Sequence, residues 1–406
     1  MNTKRRLAGA TARPLEFPTP KVCRCEERSL SVLDHRNGRI HSVKRVLVYQ
    51  TSSGNRRAVA IKKKLAKSTY GFIYLGVILR RISEYHPSVQ WESTGELVSI
   101  KSSSFQEIDS RRGKLLDDPV KEIAALKHLG TYQKNVLGCI EALEDDDNLY
   151  CISRYCSGGD LYGRLMGNPK TPGRPDEYQV RIWFRDLLCG LSHLQQKGVC
   201  HRNIALENLV LDDQDNLVIG DFGLALRVPY VDKSSPESVC DISEGTVHRR
   251  MPNQGVCGNL MYLAPEVIQG SDVDGYALDV WSSGVLLFVM LVGMAPFRWA
   301  HVSDLRYLKV SKGHLKDLVR EQGILLSDSA LNLLQKMLQP NPRKRPSISD
   351  ILSHPWMREG DLLSAGSHMK LDRIRRKSFF QTFPLPPPPP TLYESPAPLD
   401  FKGLLA

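Results

Sequence analysis

The hydrophobic positions of this chain change their rhythm along its length. Residues 1–64 mix Pro, Ser and Arg with short strand-like pieces at 45–50 and 58–61, and read as a basic, largely disordered arm. From Leu65 the pattern becomes strands and tight turns. From about Val180 it becomes helical, with apolar residues recurring at helix spacing over 180–196, 278–292 and 327–338. Strands first and helices later predict an α+β fold with two lobes, a small β-rich one over 65–152 and a larger helical one over 157–356. After Trp356 the order signal fades. Residues 357–406 read as a basic, proline-rich tail in which Pro386 to Pro390 favour a polyproline II rod.

Composition narrows the class. At 406 residues, one two-lobed domain with flanking tails is expected. A 41% hydrophobic and 24% charged content is that of a soluble globular protein. The apolar run at 285–297 is too short to span a bilayer and predicts a buried helix, so no membrane span is expected. Residues 1–14 carry charge but no apolar core of a secretory signal. The net charge of +11 comes from residues 1–64, where sixteen Lys and Arg face four Asp and Glu. Such an arm can bind acidic surfaces, but a solvated tail is the simpler expectation, and no nucleic acid partner is expected. Cys23 and Cys25 have no second pair at zinc-ligand spacing, and nine cysteines without a signal suggest reduced thiols in a cytoplasmic or nuclear protein.

The chemistry starts at Asp221-Phe222-Gly223, which follows the apolar run Leu217–Ile219 and Gly220. A carboxylate at a strand end can ligate phosphate-bound Mg2+, although the tripeptide alone is common. Upstream lies His201-Arg202-Asn203-Ile204-Ala205-Leu206-Glu207-Asn208, which resembles the protein-kinase catalytic loop H-R-D-x-x-x-x-N at every position but one. Ala264-Pro265-Glu266, Asp279-Val280-Trp281-Ser282-Ser283-Gly284 and Arg345 follow in order. The series resembles the eukaryotic protein kinase family from about Leu65 to Trp356. The resemblance implies a bilobal protein-kinase-like fold over 65–356, Mg-ATP as cofactor, and phosphoryl transfer to protein serine or threonine hydroxyls. It also implies Asn208 and Asp221 as metal ligands.

A literal Val59-Ala60-Ile61-Lys62 is present, but the glycine loop of the family precedes its ATP-anchoring lysine, and here the only candidate loop follows Lys62. The run from Ala66 to Gly76 resembles G-x-G-x-F-G-x-V-Y-x-G, which implies that Ala66, Ser68, Tyr70, Gly71 and Ile73 contact the nucleotide. The matching lysine is Lys101, with Glu122 as its partner in a helical segment at 118–129 that Asp118-Pro119 opens well. The alternative pair, Lys62 with Glu84, leaves an unexplained excess of chain before the hinge at 154–156. Ser153 falls at the gatekeeper position, and Tyr155, Cys156 and Asp160 complete the implied nucleotide site.

Three departures matter. Ala66 and Ser68 replace two loop glycines, which weakens close backbone approach to phosphate. Residues 80–96 read as a surface insertion that loops out. Asn203 stands where the family has its catalytic aspartate. An amide can still orient a substrate hydroxyl but cannot take up its proton, a function worth about 10²–10⁴-fold. Ala205 removes a lysine often found there, at a further cost of about 10²–10³-fold. Two readings therefore stay open: a serine/threonine kinase of reduced activity, and a pseudokinase that binds nucleotide and signals by shape.

The resemblance also implies that Arg202 pairs with a phosphorylated loop, for which Ser234, Ser235, Ser238, Ser243 and Thr246 are the acceptors. Asp160 and Glu207 match acidic positions that receive basic protein substrates, while Val289, at a third such position, is apolar. The basic run from Arg373 to Ser378 would suit such a groove. The segments 291–297 and 352–356 look like those of calcium/calmodulin-regulated and sucrose-nonfermenting-related kinases. The proline run is a candidate ligand for SH3 or WW modules.

Overall fold

Two glycine turns reverse the chain inside the segment expected to be a disordered arm. Gly38, after Asn37, and Gly54, before Asn55, both adopt positive φ, at 66° and 83°, where glycine carries no Cβ penalty. They connect β1 (Cys23–Asp34), β2 (Ile40–Gln50) and β3 (Arg56–Ser68) as an antiparallel meander. This corrects the sequence reading of 1–64. In the computed structural model, which describes residues 13–82, 89–166, 175–229 and 250–362, residues 23–64 are built into sheet.

The meander continues into β4 (Gly71–Arg81), β5 (Trp91–Ser104), β6 (Glu141–Glu144) and β7 (Asn148–Arg154). The strand order is β1-β2-β3-β4-β5-β7-β6, and β1 closes it into a barrel by pairing parallel with β6, Cys23 opposite Leu143. Past a bulge between Arg28 and Leu30, the far end of β1 pairs parallel with the start of β5, Val32 opposite Trp91. Both faces are therefore buried over residues 46–49 of β2 and 58–61 of β3. Leu47, Tyr49, Val59 and Ile61 join Ile100 and Tyr150 in one core, and Val46, Val48, Ala58 and Ala60 join Val77 and Trp91 in another. Two covered faces explain why 58–61 reads as an unbroken apolar run. Residues 80–96 do not simply loop out, because pairing continues to Arg81 opposite Trp91; residues 83–88, with Glu84, lie outside the described residues.

Two helices complete this N-terminal unit, which spans Phe17–Ser157 instead of starting at Leu65. They are α1 (Phe105–Arg111) and α2 (Pro119–Leu129). Asp118 caps α2 by accepting from Val120 N and Lys121 N, and Pro119 occupies its first turn, as the sequence predicts.

The C-terminal unit begins at Gly158 and also includes the segment before Phe17. It holds β8 (Gly159–Asp160), α3 (Leu161–Met166), α4 (Glu177–Gln196), β9 (Val199–Cys200), β10 (Leu209–Leu211), β11 (Leu217–Ile219) and β12 (Leu226–Arg227). After these come α5 (Pro265–Ile268), α6 (Gly275–Val292), α7 (Leu305–Ser311), α8 (Leu315–Glu321), α9 (Asp328–Met337), α10 (Ile348–Ser353) and α11 (Pro355–Leu362). The helical stretches expected at 180–196, 278–292 and 327–338 correspond to α4, α6 and α9. Helix α6 is apolar and long enough to cross a membrane by length and composition, yet every residue of it is buried in protein. It ends at Gly293, in the left-handed conformation, so the run at 285–297 is only partly helical. Arg345 forms a bidentate pair with Glu266 at 2.7 Å, buried beside α6. Residues 13–16 return to this unit, where Leu15 N donates to Arg227 O at 2.9 Å.

Candidate functional site

In the N-terminal unit the loop candidate is the β3–β4 turn, with Ser68 opposite Gly71 and Ala66 opposite Ile73. Gly71 is required sterically, since a Cβ there would collide with the Ser102 carbonyl oxygen. Ala66 is exposed. The Ser68 hydroxyl is buried and has no hydrogen-bond partner among the described residues, leaving a donor where the resemblance places a phosphate. Tyr70 departs from its expected role of facing the cofactor. Its ring is buried within the unit, and its hydroxyl donates to the Asp117 carbonyl at 2.5 Å.

Lys101 sits on β5 between Ile73 of β4 and Cys151 of β7. Its Nζ donates to Glu122 Oε2 at 2.6 Å, the charge-assisted bond that the resemblance implies. Helix α2 supplies Glu122 from the turn that Asp118 caps. Lys62, the discarded alternative, is exposed on β3. Ser153 on β7 is buried, and Tyr155 and Cys156 follow that strand half-buried.

In the C-terminal unit the β10–β11 hairpin places Leu209 opposite Ile219. The register therefore puts Asn208 beside Gly220, whose N–H donates to Asn208 O at 2.9 Å, and leaves Asp221 at the same end. Asp221 has φ of 60°, an uncommon conformation for a residue with a Cβ. Asn203 lies across from it. Asn203 Nδ2 donates to Asp221 Oδ2 at 3.4 Å, and Asn208 Nδ2 donates to Asn203 O at 2.8 Å. Ala205 is fully buried, so no charge reaches the site from there.

Asp279 of α6 holds the loop from below. Its carboxylate accepts from His201 N at 2.7 Å and from Arg202 N at 2.8 Å. Burial pushes its pKa up to about 7, against the lowering effect of those two N–H groups. Sequence reasoning noted the Asp279 motif but did not see that it fixes Arg202 at a φ of 67°. His201 is buried under Phe222, with ring centroids 4.7 Å apart. Its Nδ1 accepts from Asn203 N at 3.2 Å and its Nε2 lies 2.9 Å from Gly220 O, a pattern that suits the neutral ring protonated on Nε2. Burial lowers its pKa to about 4.

The Arg202 guanidinium donates to Leu224 O and Cys257 Sγ, each at 3.3 Å. The acceptors expected to meet it, Ser234, Ser235, Ser238, Ser243 and Thr246, lie outside the described residues, as do the 373–378 run and the proline run. Asp160 Oδ1 accepts from Gly163 N at 2.6 Å, so it serves at least as a helix cap. Burial raises the Glu207 pKa, with the Asp160 and Asp221 charges adding to the shift.

Among the described residues no three His, Cys, Asp or Glu side chains converge as metal ligands. One carboxylate and one amide oxygen, Asp221 and Asn208, form the sparse oxygen set that Mg2+ accepts when phosphates and water complete its shell. In the C-terminal unit these two oxygen donors suit Mg2+, and in the N-terminal unit the Lys101 ammonium suits a phosphate.

Residues 88–357 match the family described as the protein kinase domain, beginning between β4 and β5. CBL-interacting protein kinase 2 of Oryza sativa subsp. japonica is 31% identical over 267 residues, which cover 66% of this chain and 53% of that protein. CBL-interacting serine/threonine-protein kinase 15 of Arabidopsis thaliana is 32% identical over 267 residues, or 66% of this chain and 56% of that protein. Maternal embryonic leucine zipper kinase of Xenopus tropicalis is 31% identical over 268 residues, or 66% and 36% respectively. The chain spans about half the length of the plant relatives.

Proposed function

The chain belongs to the protein kinase family, and on that premise we propose that it binds Mg-ATP and transfers phosphoryl groups to serine or threonine hydroxyls of proteins at a reduced rate. The observation that carries the proposal is the Asn203–Asn208–Asp221 constellation at the open end of the β10–β11 hairpin. Lys101, held by Glu122, supplies the cation for the α- and β-phosphates. Asn208 and Asp221 would hold Mg2+, which would supply shielding for the charge that builds on the transferring group. Asn203 orients the acceptor hydroxyl through its amide oxygen and leaves the proton to water, which removes about 10²–10⁴-fold of rate. The field of Asp160, Glu207 and Asp221 favours a substrate with basic residues near the acceptor. The proline run remains a proposed ligand for SH3 or WW modules, and a cytoplasmic location is proposed from the scattered thiols.

One observation favours the pseudokinase alternative. The Asn203 amide donates to Asp221, so the residue that replaces the base engages a carboxylate needed for metal. Two measurements separate the readings. Mg-ATP at 100-fold its Kd stabilises a binding-competent chain by about 2.7 kcal/mol, seen as a raised melting midpoint, and Lys101→Met removes that rise. Transfer of radiolabel to a basic peptide is expected to be at least about 10²-fold faster in Asn203→Asp. Equal rates in the two forms exclude Asn203 as the limiting position, and no transfer by either favours the pseudokinase.

A further inference from the structure

We propose that Tyr70 is a positioning residue that ties the β3–β4 loop to helix α2, so that the loop and the Lys101–Glu122 pair move as one body. Three contacts and its burial hold it. Its hydroxyl donates to the Asp117 carbonyl at 2.5 Å, and its own carbonyl accepts from Ser104 N at 2.9 Å. Its ring is only 3% exposed, and the Arg111 guanidinium stands 5.9 Å from the ring centre. Asp117 adjoins Asp118, the cap of α2, and α2 carries Glu122. A displacement of the loop tip therefore pulls on the helix end that orients the lysine.

The replaced glycines fit this arrangement. With Ala66 and Ser68, the loop has lost part of the backbone freedom that lets it open and close. Gly71 is kept for a steric reason, its approach to the Ser102 carbonyl. Loop geometry is thus set at the tip by two adjacent constraints, the Tyr70 anchor and the close approach of Gly71. The anchor is durable: burial, with Asp117 and Asp118 adding, raises the phenol pKa, so the hydroxyl remains a donor. Breaking it strands the buried phenol hydroxyl, a donor that burial makes costly to leave unmade.

The consequence for nucleotide rests on the function proposed above. Release requires the loop to lift, and while the Tyr70–Asp117 bond holds, the loop lifts only together with the helix end to which it is tied. In the full-length chain, Tyr70→Phe is expected to release a fluorescent ATP analogue about tenfold faster in the presence of Mg2+, as the loss of one such bond implies. The effect is expected to be non-additive with Glu122→Gln in a double-mutant cycle, because one residue acts through the helix that carries the other. A packing role alone gives additive losses. Hydrogen exchange tests the tie without nucleotide: Tyr70→Phe raises exchange at residues 68–71 and 120–123 together. Tyr70→Ala repeats the measurement if the phenylalanine ring still fills the pocket. Unchanged release with unchanged exchange at 120–123 overturns the proposal. A wild-type chain that binds no Mg-ATP overturns the nucleotide reading, and exchange then decides the tie alone.

Discussion

At the residue scale, the contacts around His201 make a pH-dependent stability. Its folded pKa of about 4 lies below the 6.5 of a free imidazole, because burial strips solvation from the charged ring. The unfolded chain binds that proton below about pH 6.5 and the folded chain does not. The contribution is therefore fully present above the unfolded pKa and is lost as pH falls through about 4, by up to about 1.4 kcal/mol per pH unit. Urea unfolding of the wild type and of His201→Gln, between pH 7 and 4, is expected to show the steeper loss in the wild type. A parallel loss in the two proteins assigns the acid sensitivity elsewhere. Asn203 belongs to the same scale. Its substitution changes one proton acceptor, and its neighbours Asn208 and Asp221 are still held by the hairpin register.

At the element scale, the β1–β2 hairpin turns a one-sided sheet into one covered on both faces. Trp91 is the largest side chain of the second core, and it is 3% exposed. It packs beside Val32 of β1, with which its backbone pairs. Trp91→Ala is expected to cost about 3–5 kcal/mol, since the surrounding strands cannot collapse into so large a cavity. Chemical denaturation monitored by far-UV circular dichroism measures it. A loss below about 1 kcal/mol shows that the second core is not a working part of the unit. The helices obey simpler rules. Asp118 and Pro119 start α2, Ser327 caps α9 and Gly293 stops α6, so their boundaries follow from local chemistry that any reader of the sequence can apply.

At the scale of the whole molecule, the two units differ in how much of them the family match covers. The match starts at residue 88, after β1 to β4, so the N-terminal unit depends on strands beyond it. A chain shortened to begin at residue 55 loses β1 and β2, and with them one wall of each core. It is expected to lose cooperative unfolding of the N-terminal unit, which the full chain retains. Near-UV circular dichroism on heating separates these outcomes. The sequence by itself determined the chemistry: the catalytic-loop run, Asp221, Lys101 with Glu122, the capped helices and the substitution at Asn203 are all carried by residue type and spacing within short segments. The barrel, the seat of Tyr70 on Asp117, the grip of Asp279 on the catalytic loop and the amide of Asn203 on Asp221 were decided only in three dimensions. The physical reason is range. Cys23 meets Leu143 and His201 meets Asp279 across long stretches of chain, and pairing at that distance leaves no local period. In 23–64 the exposed Lys, Arg and Ser positions also masked strands whose buried partners lie far along the chain.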